Sequence, residues 1–238
     1  MELGEGVEVS YRPGSHRPLL AISIGAGALF VLVALAIHAG VLPRYDHRLL
    51  ASAIAARAGA LDSAMRMVSL LGSEAGVSLA CLAVGLKLWR LERRSFGLGL
   101  CSVANVGATA LAVGAKELTS RARPDPSGWI GNFTGSAFPS AHCARAMALV
   151  VVVIALLRRA GAARAAWGAA VIGAAFVLAL GTSRVYLGGH WPSDVVAGDA
   201  LGAAFGAAVV MLGHRRPHQA EPREHRGARR RSAAPSAR

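Results

Sequence analysis

Apolar residues fall in long runs along this chain, and polar residues gather in short clusters at the ends of those runs. A helix needs about 20 apolar residues to cross the hydrocarbon core of a bilayer. Six runs approach that length: residues 19–42, 74–89, 96–118, 140–157, 165–186 and 192–213. The second is short, and an earlier start would lengthen it. Residues 43–73 mix Arg44, Asp46, Arg48, Arg57, Asp62 and Arg66 with apolar positions, a pattern that suits surface helices better than a span. The pattern predicts an all-α integral membrane bundle of six helices over residues 18–213. A polar tail, 1–17, precedes it and a basic tail, 214–238, follows. The start carries Glu2, Glu5 and Glu8, whereas a secretory signal has a basic start and a shorter apolar stretch. An uncleaved first span is expected.

Composition supports this reading and charge orients it. Of 238 residues, 54% are hydrophobic and 16% charged, against about 25% charged in a soluble domain. The net charge of +13 is uneven: Lys87 and Lys116 are the lysines, Arg supplies the rest, and much of the excess lies after His214. That distribution argues against a nucleic-acid footprint across the fold. The tail reads as a disordered, solvated topology signal, with attraction to anionic lipid heads as the functional alternative. Ala- and Arg-rich, Lys-poor usage points to a high-GC bacterial genome and hence a bacterial plasma membrane.

Short-loop Lys and Arg mark the cytoplasmic side. Lys87, Arg90, Arg93 and Arg94 lie between spans two and three, and Arg158, Arg159 and Arg164 between four and five. With the tail they fall on one side of a six-span chain, so both termini are expected in the cytoplasm. The opposite, outer side then receives three polar clusters: KELTSRARP (116–124), PSAH (139–142) and SRVYLGGHWPSD (183–194).

These clusters supply the parts for phosphoryl chemistry. Transfer needs the charge on the peripheral oxygens held, a nucleophile in line and a proton for the leaving oxygen. Lys116 and Arg123 are about two helical turns apart and can share a face, with Pro124 ending the helix. Taken singly, either cation is equally an interfacial side chain snorkelling to water. Ser140 is a candidate N-cap at the start of the fourth span. Its hydroxyl could cap the helix, bind phosphate at the free N–H groups there, or do both. His142 at that mouth could donate a proton. His190 and Asp194 flank Trp191 and Pro192, and Pro192 suits a first helical turn. Asp194 could then accept the ring N–H of His190, fix its tautomer and free the other nitrogen to attack. No metal-ligand cluster is legible. Cys81, Cys101 and Cys143 have no disulfide or metal spacing. A cysteine-phosphatase loop fails because Leu149 stands where that loop needs Arg.

The three clusters resemble the type 2 phosphatidic acid phosphatase family, the lipid phosphate phosphatases. Its pattern of Lys, six residues, Arg-Pro matches Lys116, Arg123 and Pro124. Its Ser-Arg, five residues, His, three residues, Asp matches Ser183, Arg184, His190 and Asp194. Its Pro-Ser-Gly-His appears as PSAH, with Ala141 in place of Gly; Ala keeps the N–H but would be strained if the position needs positive φ. The resemblance covers roughly residues 61–213.

It implies that His190 is the nucleophile, forming a phosphohistidine, and that Asp194 orients it. His142 would protonate the leaving lipid oxygen and then help water attack. Lys116, Arg123 and Arg184 would hold the phosphate, assisted by Ser140 and the N–H of Ala141. No metal or other cofactor is implied. The expected activity is hydrolysis of a lipid phosphate or diphosphate at the outer membrane face. Polyprenyl diphosphate, phosphatidic acid and phosphatidylglycerol phosphate are the substrate candidates, membrane lipids the partners, and oligomeric state is open. Two alternatives are a phosphotransferase on the same fold and a non-catalytic lipid-binding membrane protein. Vanadium-dependent haloperoxidases share the pocket but are soluble, which six spans oppose.

Other positions read structurally. Gly198, Gly202 and Gly206 form a small-residue stripe for helix packing, with a dimer face as the alternative. Asp199 lies within the sixth span, protonated or paired, with Asn105 a candidate partner. Trp129 and Trp191 suit interface anchors, and Trp191 is also a candidate substrate contact.

Overall fold

The computed structural model describes residues 16–92 and 96–213. Residues 1–15 of the polar start, the basic tail, and Arg93 and Arg94 of the second link lie outside the described residues, and Arg17 of that start opens α1. Among the described residues there are eight α-helices and no strand. They are α1 Arg17–His38, α2 Pro43–Ala55, α3 Gly59–Leu71, α4 Glu74–Glu92, α5 Phe96–Thr119, α6 Ala141–Arg159, α7 Ala163–Tyr186 and α8 Pro192–Gly213. A 3-10 turn, Pro126–Gly128, interrupts the loop between α5 and α6.

Helices α1, α5, α6, α7 and α8 are long and apolar enough to cross a membrane. α3 and α4 meet at a 57° bend and reach that length and hydropathy only as a pair, as a broken span or a re-entrant loop. Counted as one span, the pair begins at residue 59, earlier than 74, and leaves α2 of the mixed segment as the expected surface helix. The reason lies in α3 itself, whose Met67, Leu70 and Leu71 stay about 60% exposed and offer an apolar face to lipid.

Local chemistry sets the helix ends. α1 stops before Gly40, which takes φ of 73°, and Pro43 restarts the chain as the first residue of α2. α5 stops at Thr119 because Ser120 adopts φ of 45°, a conformation unusual outside glycine. The helix thus ends at Thr119, with four residues between it and Pro124. Arg123 does not share a helical face with Lys116, contrary to the sequence reading; it reaches the site from an irregular segment.

The centre of the bundle is α6, packed on α8, α5, α7 and α4, while α1 lies along α8. Lipid is as apolar as the side chains, so close packing rather than dehydration holds such helices together. The interior is accordingly small: Ala104, Ala108, Ala112, Ala144, Ala148 and Ala197 are fully buried. The glycine stripe of α8 is turned inward to α6. A Cβ on Gly198 would stand 2.4 Å from the carbonyl oxygen of Ser140, and one on Gly202 would stand 2.2 Å from that of Ala144. Packing within the bundle, not a dimer face, explains the stripe. Its consequence for the site is direct, because the close approach brings the start of α6 against the start of α8.

Candidate active site

All three polar clusters arrive at one end of the bundle, and hydrogen bonds join them. Ser140 donates its backbone N–H to the carbonyl oxygen of Asp194 at 2.9 Å, joining the second cluster to the third. Lys116, one turn from the end of α5, donates from Nζ to the carbonyl oxygens of Ser136 at 2.6 Å and Ala137 at 3.3 Å, beside the cis Phe138–Pro139 peptide. Arg123 donates to the carbonyl oxygens of Gly135 and Thr134 at 2.9 and 2.8 Å. It also donates to the carbonyl of Gly189, and its Nη1 stands 3.3 Å from Nε2 of His190.

His190 and Asp194 are both buried, at 2% and 0% exposure. Nδ1 of His190 lies 3.6 Å from Oδ2 of Asp194, beyond hydrogen-bonding distance. The expected His190–Asp194 hydrogen bond is therefore not made in this conformation. Asp194 has other donors: Nη1 of Arg121 at 2.5 Å on Oδ1, and the backbone N–H of Trp191 at 2.8 Å on Oδ2. Burial, and then the cations Arg184, Arg123 and Lys116, hold the His190 imidazole well below its ordinary pKa of 6.5.

Arg184 is buried in the last turn of α7. Its Nη1 donates to the hydroxyl of Ser69 on α3, and its guanidinium lies 4.9 Å from the centroid of the Phe133 ring. Its carbonyl oxygen receives the backbone N–H of His190 at 3.3 Å. Arg184, His142, Phe133, Ser69, Ser73 and Arg66 line a 260 Å³ cavity.

Ser140 occupies the N-cap position of α6, but its hydroxyl makes no capping bond. That oxygen is fully buried without a hydrogen-bond partner among the described residues. A buried polar group of this kind costs free energy unless something occupies it, so an incoming anion at the helix start is a suitable partner. Ala141 takes no positive φ; among the described residues Ser120 is the non-glycine that does. Alanine therefore fits where the family pattern has glycine.

Sequence reading missed Asp46 and Arg121. Asp46, buried in α2, takes Nη2 of Arg121 at 2.7 Å, the Ser193 hydroxyl at 2.6 Å and the Ser193 N–H at 2.9 Å. Arg121 thus bridges two buried carboxylates 148 positions apart in the chain, Asp46 and Asp194. Arg121 sat in plain view between Lys116 and Arg123, but Asp46 carried no local signal. Asp199 does not pair with Asn105, which donates to the Ser78 hydroxyl at 3.0 Å. Oδ1 of Asp199 has no hydrogen-bond partner among the described residues. The tryptophans serve loop packing: Trp129 and Trp191 donate from Nε1 to the carbonyls of Pro124 and Ala122.

The PAP2 superfamily model matches residues 95–217. The chain is 38% identical over 117 residues to the decaprenylphosphoryl-5-phosphoribose phosphatase of Mycobacterium tuberculosis, in strains CDC 1551 and H37Rv. The match covers 47% of this chain and 60% of those relatives, so the chain spans less than two thirds of their length. In fold it is similar to a transmembrane PAP2 type phosphatidylglycerolphosphate phosphatase from Bacillus subtilis. The TM-score is 0.76 at 22% identity, covering 84% of this chain and 99% of that one.

Proposed function

Because the chain belongs to the PAP2 superfamily, we propose that it is a membrane phosphatase that removes a terminal phosphate from a lipid through a phosphohistidine. The observation that carries this reading is the setting of His190, which is buried and has Nε2 3.3 Å from Nη1 of Arg123. Arg123 is donor-only, so its approach to Nε2 favours a lone pair on Nε2 and the proton on Nδ1, the nitrogen on the Asp194 side.

Nε2 attacks phosphorus, the phosphorus–oxygen bond to the lipid breaks, and His142 gives its proton to the departing oxygen. Water then attacks the phosphohistidine while His142 takes a proton back. The phosphorus–nitrogen bond breaks, releasing inorganic phosphate and neutral His190. Lys116, Arg123 and Arg184 hold the peripheral oxygens, and the Ser140 hydroxyl and the N–H of Ala141 complete the cradle. Asp194 stabilises the charge that develops on the ring. Side-chain cations do the work that a metal does in other phosphatases, so EDTA leaves turnover unchanged. The basic links at the opposite end of the bundle, with Lys87, Arg90, Arg158 and Arg159, support a site on the outer face of a bacterial plasma membrane.

The relatives direct the choice of substrate. Their names describe lipids in which a phosphoryl group joins a polyol that bears a further phosphate, and we take that class as the first to assay. Phosphate release by detergent-purified protein is expected from phosphatidylglycerol phosphate and from phosphatidic acid, with and without EDTA, and lost in His190→Ala. Release that persists in folded His190→Ala sinks the assigned nucleophile.

A further inference from the structure

The reading above accounts for one phosphate, and the cavity that adjoins its site through His142 and Arg184, without His190, Lys116 or Arg123 in its lining, holds a further cation. Arg66 projects from α3 into the same 260 Å³ cavity as His142 and Arg184. Among the described residues it makes no hydrogen bond or ion pair. It is exposed, whereas Arg184 is buried and tied to α3 through Ser69. Ser69 and Arg66 are three residues apart, so they are neighbours on one helix face, about 5 Å along the axis. The helix that fixes the inner arginine therefore sets a second, exposed one a turn away in the lining of the same cavity. Asn132 on the loop before α6 lines the same cavity and adds an amide donor.

We propose that Arg66 is a specificity residue for a second phosphate. The terminal phosphomonoester sits among Arg184, Arg123 and Lys116, and Arg66 takes the phosphodiester on the lipid side of a short polyol. The guanidinium fork suits that diester oxygen pair. The preferred substrate is then a lipid with two phosphates separated by a polyol rather than a lipid monophosphate such as phosphatidic acid. The inference rests on the phosphatase reading and adds the discrimination between these two lipids.

The test compares kcat/KM for phosphatidylglycerol phosphate and phosphatidic acid of identical acyl chains, using the full chain in detergent and the variants Arg66→Ala, Arg66→Gln and Arg66→Lys. Wild-type protein is expected to prefer the two-phosphate lipid. The preference should shrink about tenfold in Arg66→Ala and Arg66→Gln, mainly through KM, and partly survive in Arg66→Lys, which keeps the charge. A ratio that does not move, or two activities that fall in parallel, overturns the role of Arg66. Hydrolysis of neither lipid by folded wild-type protein is a different result, because it removes the phosphatase reading itself. Arg66 lies outside the packed interior, so thermal melting of the three variants should match wild type and separate loss of selectivity from loss of fold.

Discussion

Arg121 holds Asp194 by a 2.5 Å charge-assisted hydrogen bond while its other nitrogen reaches Asp46 at 2.7 Å. The carboxylate that faces His190 is therefore itself held in place, by a guanidinium anchored on α2. Two buried carboxylates sharing one arginine would repel each other without it. Ser193 adds two donors to Asp46, so this acid is satisfied from two elements at once. In the proposed reaction, His190 gains positive charge as its Nε2 bonds to phosphorus. Asp194 must then be ionised and fixed, which is what Arg121 provides.

Removing Arg121 should accordingly act through Asp194. Arg121→Ala is expected to lower kcat by about 10²-fold or more with little change in KM. It should also destabilise the protein by about 3–5 kcal/mol, the cost of leaving buried carboxylates unpaired. Arg121→Lys, which can serve one carboxylate but not fork to both, should recover part of the stability and less of the rate. A double-mutant cycle with Asp194→Asn is the check: coupling is expected, and additive losses in kcat would show that Arg121 does not act through Asp194.

The depressed His190 pKa has a sign that can be worked out. In the unfolded chain the ring takes up a proton near its ordinary 6.5. In the folded protein, burial and three cations keep it neutral well below that. Between the two values the unfolded state binds the extra proton, so stability falls as pH falls below 6.5, by up to about 1.4 kcal/mol per pH unit for this group. Thermal melting between pH 7.5 and 5 should show that decline, and His190→Gln should make it shallower. NMR of histidine labelled with 15N adds a second check: the ring signal missing in His190→Gln should not titrate between pH 7.5 and 6. A ring that protonates near 6.5 contradicts the neutral nucleophile.

Most of the bundle was legible because a bilayer demands long apolar helices, and α5 to α8 fall within a few residues of the runs read from sequence. Spacing picks out the candidate site residues, and His190, His142, Asp194, Lys116, Arg123, Ser140, Ala141 and Arg184 lie together at one end of the bundle. What failed was local geometry. The seven-residue spacing of Lys116 and Arg123, with Pro124 as a stop, implies a helix reaching Pro124, but Ser120 turns the backbone at φ of 45°. That turn frees Arg121 and Arg123 to reach separate partners. The His190–Asp194 hydrogen bond was inferred from an i,i+4 spacing, yet Asp194 is drawn to Arg121 and to the N–H of Trp191. Asp46 was invisible because its importance comes from a contact 75 residues away in sequence, and a short mixed segment gives no clue to such a partner. The bend between α3 and α4 was obscured by charged residues that interrupt the apolar pattern.

The glycine stripe supplies the last prediction, since it links packing to chemistry. Gly202→Ala would place a Cβ 2.2 Å from the Ala144 carbonyl oxygen, a backbone atom that cannot rotate away. α6 and α8 must then separate, and with them Ser140 and His142 on one side and Asp194 on the other. Loss of both thermal stability and phosphate release is expected, by about 1–3 kcal/mol in stability, the usual range for overpacking. Gly168→Ala on α7 is the matched control. Its Cβ would meet nothing within 4 Å, and replacing a helical glycine should by itself favour the helix by up to about 1 kcal/mol. Side-by-side melting curves and phosphate assays read the difference. If Gly202→Ala melts and turns over like Gly168→Ala, the close approach of α6 to α8 does not set the geometry of the site.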